Sequence, residues 1–124
     1  MIQKYTTVTV KDLEESLDFY INILGLKQVN KFSPESGVTI SFLRDDNSNL
    51  IELLEDTNLS EENFKESRVS IGFGVENLDE ILDRLKIEGI EIIRPIIETP
   101  GDGKLAFIKD PNGVEIGINQ GFNM

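Results

Sequence analysis

The sequence contains one pattern twice, 65 positions apart. The segment FLRDDNSNLIEL at 42–53 and the segment FIKDPNGVEIGI at 107–118 share Phe, Asp, Asn and Ile at matching places. At the same offset TTVTVKDLEESL at 6–17 matches IGFGVENLDEIL at 71–82 in Val, Leu and Glu. Self-similarity at a fixed period indicates a repeated structural unit. We therefore expect two copies of one unit of about sixty residues each.

Each copy begins with an alternating strand and continues with an amphipathic helix. Asp12 and Asn77 are expected to cap these helices, since a Glu follows each of them three places on. Gly25 and Gly89 suit the helix ends. Three further strands follow in each copy. The predicted strands are 3–10, 27–33, 37–44 and 49–54 in the first copy and 69–76, 90–97, 104–109 and 114–119 in the second.

This order of elements predicts an α+β fold made of duplicated βαβββ units with mixed strand pairing. The 124 residues are expected to make a single domain, with repeat units at about 1–55 and 68–120. The polar segment 56–67 is interpreted as a linker that holds a short turn of helix. Alternation along the strands predicts a core face with these members: Val8, Val10, Ile51, Phe73, Val75, Ile116 and Ile118.

Composition excludes several classes of function. The net charge of −11 should repel nucleic acid and anionic membranes, and it would favour a cationic ligand. The chain has no His and no Cys, so an ordinary zinc site and the Ser–His and Cys–His nucleophile systems are excluded. There is no apolar run of membrane length and no signal-peptide pattern at the start, and a cytoplasmic location is expected by default.

The segments VKDLEESLDFYINILGLK at 10–27, VENLDEIL at 75–82 and FIKDPNGVEIGI at 107–118 resemble the vicinal-oxygen-chelate superfamily, which includes glyoxalases, extradiol dioxygenases and bleomycin-resistance proteins. The resemblance covers nearly the whole chain. It implies a fold of two curved sheets with a cleft, and a homodimer. Because this fold hosts several chemistries, the resemblance alone does not define the activity.

The family's enzymes hold one divalent metal with two ligands from each half. The resemblance places these four positions at Tyr5, Glu52, Ser70 and Gly117, and the repeat offset pairs Tyr5 with Ser70 and Glu52 with Gly117. Tyr and Ser bind divalent metals poorly at neutral pH, and Gly has no side chain. One carboxylate does not make a metal site. We therefore expect no metal and no other cofactor.

Strand alternation adds Thr7 and Glu115 to the cleft face that these four positions define. The candidate ligand-binding residues are thus Tyr5, Thr7, Glu52, Ser70, Glu115 and Gly117. Glu52 lies between leucines in LIELL, which suits a cation-binding site or a proton-transfer base. The alternative is a carboxylate satisfied by water, by Arg44 or by Arg94. Asp110 and Asn112 are expected to shape a turn.

Three functions remain open on these observations. The first is a metal-free protein that binds and sequesters a small cationic or aromatic molecule, similar to the drug-sequestering resistance proteins. The second is a glyoxalase-like lyase or isomerase in which Glu52 is the base, with a weakly held metal or none. The third is a vestigial cleft in a chain that acts through subunit contacts. A metal assay and turnover of a hemithioacetal distinguish the first two.

Overall fold

A computed structural model of the chain describes residues 3–64, 67, 69–99 and 103–121. The chain divides into two compact units, Met1–Lys65 (unit 1) and Glu66–Met124 (unit 2). Each unit has its own sheet and its own helix. The expected α+β class is confirmed.

Unit 1 contains a five-stranded sheet with one helical segment against it. Its strands are β1 (Tyr5–Val10), β2 (Lys27–Gln28), β3 (Phe32–Glu35), β4 (Val38–Arg44) and β5 (Leu50–Asp56). The helical segment is α1 (Leu13–Leu17), which continues as a π-helical turn (Asp18–Ile23), and a 3₁₀ turn (Glu61–Phe64) follows β5. The strand order is β1-β5-β4-β2, and β3 also pairs with β4.

Unit 2 has the same arrangement with four strands. They are β6 (Ser70–Gly74), β7 (Ile97–Thr99), β8 (Gly103–Lys109) and β9 (Glu115–Gln120), with the helix α2 (Leu78–Ile87) after β6. The strand order is β6-β9-β8-β7. In both units the last strand lies in the interior of the sheet, parallel to the first strand and antiparallel to the one before it. The predicted duplication is therefore confirmed.

Both helices begin in the predicted way. The Asp12 side chain accepts a hydrogen bond from the Glu15 N–H at 3.0 Å, and Asn77 accepts from the Glu80 N–H at 3.1 Å. The last strand of each unit adds a second acceptor, because Glu55 accepts from the Leu13 N–H. The helix starts are thus fixed both by a local cap and by a bond to the sheet.

The same bond recurs in unit 2, where Gln120 accepts from the Leu78 N–H. The distance is 2.7 Å in both units. Gly25 and Gly89 end the helical segments with φ of 79° and 75°, which glycine adopts without strain. The repeat therefore extends from strand order to individual hydrogen bonds.

The turn before the last strand is closed by an Asp side chain in each unit. Asp110 Oδ1 accepts from the N–H groups of Asn112 and Val114, both at 2.8 Å. Asp110 and Asn112 are buried and shape the turn, as predicted.

Asp45 has the corresponding place in unit 1 and accepts from the N–H groups of Asn47 and Asn49 at 2.9 and 2.8 Å. Burial raises the pKa of Asp45, but the hydrogen bonds from the Asn49 side chain and from these backbone N–H groups outweigh it. The pKa of Asp45 is therefore held below its ordinary value.

The core of each unit lies between the helix and one face of the sheet. Five of the seven predicted core residues are buried: Val8, Val10, Ile51, Ile116 and Ile118. Phe73 and Val75 are only half-buried. The helical segment of unit 1 buries the apolar side chains of Leu13, Leu17, Phe19 and Tyr20, whereas α2 buries Leu78 and Leu85. The strand β6 is accordingly less well covered than β1.

Two predicted strands are wrong in detail. The strand expected at 27–33 is observed as two short strands, β2 and β3. The strand expected at 90–97 is observed only at Ile97–Thr99, because Pro95 has no N–H to donate and restricts the residue before it. The first helix ends in a π-helical turn rather than an α-helical one, with Leu24 donating to the Phe19 carbonyl at 3.1 Å. The predicted linker contains the expected helical turn at Glu61–Phe64.

Among the described residues, no helix has the length and apolar character needed to span a membrane.

Candidate functional site

Glu52 lies on the face of the unit 1 sheet that points away from the buried side chains. It sits on β5, directly opposite Thr7 on β1 and Phe42 on β4. Directly opposed residues of neighbouring strands share a face of the sheet. The Thr7 hydroxyl donates to Glu52 Oε1 at 2.7 Å. The structure therefore brings two of the predicted site residues, Thr7 and Glu52, into contact.

Two aromatic rings lie beside Glu52. The rings of Tyr5 and Phe42 meet edge to face across β5, with centroids 5.5 Å apart and planes at 88°. The Tyr5 side chain is 51% exposed, and Phe42 is half-buried. An aromatic ring offers a negative face to cations and an apolar surface to other rings. Together with Glu52, this pair can recognise a ligand that is cationic, aromatic or both.

Glu52 has no ion pair within the described parts of the chain. Its hydrogen bond comes from the neutral Thr7 hydroxyl. Arg44 lies opposite Leu50 on the same face and is exposed, but it forms no salt bridge with Glu52. Arg94 pairs with Glu115 instead. Among the described residues neither Arg44 nor Arg94 pairs with Glu52, so water is left as the alternative partner, and the carboxylate keeps hydrogen-bonding capacity for a ligand.

The predicted residues of unit 2 share one face, and the two positions in its middle, Gly72 and Gly117, carry no side chain. Ser70 lies opposite Glu115 and Gly72 opposite Gly117, on the paired strands β6 and β9. A Cβ atom at Gly72 would meet nothing within 4 Å, whereas one at Gly117 would lie 3.4 Å from Leu105. Side chains of β8 thus occupy part of the space above Gly117, while Gly72 is open.

Glu115 is neutralised within unit 2. Its carboxylate pairs with the Arg94 guanidinium, whose carbon lies 4.2 Å from the centre of the Phe107 ring. Phe107 is directly opposite Gly117, so this cluster lies beside the two glycine positions. Glu115 is thus held by a side chain of its own unit and is a weaker ligand-binding candidate than Glu52.

Sequence reasoning missed Phe42, Phe107 and Arg94 as members of these faces. A signal for the two phenylalanines was present, because they match at the 65-residue offset. The position of Phe42 directly opposite Glu52 depends on the pairing of β4 with β5. Arg94 carried no such signal. It lies in the irregular segment before Pro95, where strand alternation does not apply.

The four positions that the resemblance assigns to a metal do not form a suitable donor set. The Tyr5 ring packs against Phe42, Ser70 offers a neutral hydroxyl, and Gly117 has no side chain, which leaves the Glu52 carboxylate. In the described parts of the chain, no three His, Cys, Asp or Glu side chains gather in a way that could hold a metal ion. The residues present do not fit the metal of the resembled enzymes.

Comparison with known proteins gives the family. The model of the Glyoxalase/Bleomycin resistance protein/Dioxygenase superfamily matches residues 2–118. The chain is similar to a probable lactoylglutathione lyase of Synechocystis, with 29% identity over 97% of this chain and 95% of that protein. It is also similar to the lactoylglutathione lyase of Neisseria meningitidis serogroup A, with 30% identity over 90% of this chain and 85% of that one.

A solved structure supports the same conclusion. The trypanothione-dependent glyoxalase I of Leishmania major superposes with a TM-score of 0.76 and 27% identity, over 97% of this chain and 86% of that one. The chain therefore belongs to the glyoxalase/bleomycin resistance protein/dioxygenase superfamily. The resemblance read from the sequence is confirmed.

Proposed function

We propose that the chain is a metal-free small-molecule binding protein of the glyoxalase/bleomycin-resistance type, with a cationic or aromatic ligand. The observation that carries this proposal is the half-buried Glu52, which is hydrogen-bonded by Thr7, flanked by the Tyr5–Phe42 ring pair and without an ion pair in the described residues. A cation would supply the missing countercharge, and a flat ligand would contact the rings. The net charge of −11 attracts such a ligand.

The test is a thermal-shift screen of small cationic and aromatic compounds, followed by titration calorimetry. For a cationic hit, Glu52→Gln removes the charge while nearly preserving shape, and we expect affinity to fall about tenfold or more. Affinity should also fall with added salt, because ions screen exposed charges. Glu35→Gln is the matched control, since it removes an exposed carboxylate from the same sheet. An unchanged affinity in Glu52→Gln would contradict Glu52 as the anchor.

A second function is favoured by the relatives named lactoylglutathione lyase. In this case the chain would be a lyase or isomerase in which Glu52 is the base, with weakly held metal or none. Turnover of a glutathione hemithioacetal, measured with and without added divalent metal, tests it. Activity that is lost in Glu52→Gln and kept in Glu35→Gln would support the lyase over the binding protein.

The proposal also includes a cytoplasmic homodimer, which the family resemblance favours. Sedimentation equilibrium would show a particle of twice the 14.0 kDa chain mass. A monomer at micromolar concentration would contradict it.

A further inference from the structure

Unit 2 contains a complete cation site that is filled by its own side chain. The Arg94 guanidinium lies over the Phe107 ring at 4.2 Å and pairs with the Glu115 carboxylate. The ring and the carboxylate belong to neighbouring strands, β8 and β9. A planar guanidinium can stack on a ring and donate to a carboxylate at the same time.

Unit 1 contains the corresponding ring and a carboxylate, but no cation among the described residues pairs with either of them. Phe42 is the repeat counterpart of Phe107, and Glu52 lies directly opposite Phe42 on the neighbouring strand. The Tyr5 ring contacts Phe42, with the two ring planes at 88°. Among the described residues of unit 1, no cationic side chain therefore takes the place that Arg94 has in unit 2.

We propose that the cluster of Phe42, Tyr5 and Glu52 binds a planar, delocalised cation, an amidinium or guanidinium group of the ligand, as Phe107 and Glu115 hold Arg94. This inference rests on the proposed binding function and narrows its ligand class. A compact ammonium group would suit the cluster less well. It is more strongly hydrated than a guanidinium and presents no flat face to a ring.

The hydrogen bonding at Glu52 agrees with a planar donor. Thr7 occupies one acceptor site of Oε1, and a carboxylate has about four such sites in total. Two parallel N–H groups of an amidinium can donate to both oxygens, as in Arg–carboxylate pairs. The Thr7 hydroxyl restrains Oε1 and leaves Oε2 for such a pair.

Three probes of the same size test the inference by calorimetry: benzamidine, benzylamine and benzamide. Benzamidine carries a planar cation, benzylamine a compact cation, and benzamide a planar neutral group. We expect benzamidine to bind about fivefold or more tightly than benzylamine, and benzamide not to bind measurably. This comparison uses the unaltered protein and depends on no variant's folding.

Single substitutions test whether benzamidine binds at the cluster of Phe42, Tyr5 and Glu52. Glu52→Gln should weaken benzamidine about tenfold or more, and Phe42→Leu about fivefold, since it removes the ring face while keeping an apolar side chain. Phe32→Leu, at an exposed ring on the same sheet, and Glu35→Gln are the matched controls, and both should bind as the unaltered chain does. Circular dichroism melting confirms that each variant is folded.

The outcomes separate this inference from the proposed function. Equal affinity for benzamidine and benzylamine, with both weakened by Glu52→Gln, would overturn the planar cation and leave cation binding at Glu52 intact. Benzamidine affinity that is unchanged in Phe42→Leu would overturn the stacked arrangement. If none of the three probes binds while other small compounds do, the inference fails alone. If no compound binds, the proposed function fails with it.

Discussion

The Asp45 carboxylate links the charge of one residue to the stability of a turn. Its folded pKa is depressed by the hydrogen bonds of Asn49 and of the turn backbone, despite the opposing effect of burial. The charged form therefore stabilises the fold above the unfolded pKa, whose ordinary value is 3.8, and this contribution is lost as the pH falls through the folded pKa.

We therefore predict that Asp45→Asn is less stable than the unaltered chain at pH 7 and that the difference shrinks towards pH 3. Asn keeps an acceptor oxygen for the turn, so the substitution removes the charge and little else. Urea unfolding at both pH values measures the difference in the free energy of unfolding. Asp46→Asn, at an exposed neighbour, is the control. A difference that grows at low pH would mean that the hydrogen bonds do not favour the charged form.

At single residues, sequence reasoning succeeded where strand alternation applied. The shared face of Thr7 and Glu52 follows from the two-residue period of the strands and from the repeat. Their hydrogen bond does not follow, because it depends on the pairing of β1 with β5. The stacking of Arg94 on Phe107 did not follow, because Arg94 belongs to no strand and its side-chain direction has no period to read. The Tyr5–Phe42 contact required the pairing of β1, β5 and β4, which sequence alone does not give.

The strand β9 is the element on which the unit 2 core depends. Ile116 and Ile118 are buried on its helix side, and Ile116 has no exposed surface. We predict that Ile116→Ala lowers the free energy of unfolding by roughly 2–5 kcal/mol, since it leaves a cavity in a packed core. Denaturant unfolding measures this loss.

Ile87→Ala is the control, because it makes the same substitution at an exposed site. Ile87 lies at the end of α2 and is 85% exposed. It should change the free energy of unfolding by about 0.5 kcal/mol or less. If Ile116→Ala cost less than that amount, the two faces of β9 would be reversed. Gly117 and Glu115 would then point to the core.

The repeat and the hydrophobic period predicted most helices and strands. The predictions failed where neither pattern applied. The order of strands and helices matches the prediction in unit 2, whereas in unit 1 the strand expected at 27–33 is two short strands, β2 and β3. The capping residues are correct. The strand β7 lies later than expected because Pro95 interrupts the pairing. The π-helical turn after α1 has no sequence signature that separates it from an α-helical one, since apolar spacings of three and four suit both.

For the whole molecule, the side chains available as metal ligands predict that no metal is bound. The chain has no His and no Cys, and the four family positions provide one carboxylate. We expect the purified protein to contain no stoichiometric zinc, nickel, iron or manganese by mass spectrometry of the metals. Zinc titration should show only weak binding without defined stoichiometry, from the 23 acidic residues.

A zinc enzyme of similar size, treated with chelator and reloaded, is the control for the metal measurement. Tight one-to-one binding by this chain would contradict the metal-free proposal. It would favour the lyase instead, because a metal site would then form from residues other than the four positions.

The helix caps and Asp-closed turns are alike in the two units, whereas the open faces of their sheets carry different chemistry. A gene duplication followed by divergence accounts for this pattern. Because each copy closes its own turns and starts its own helix, mutations on one open face need not disturb the other copy's scaffold. The ancestral gene could therefore have gained, by independent steps, an arginine in one half and, in the other, a carboxylate that no described residue holds in an ion pair. Selection for a new ligand could act on either half separately.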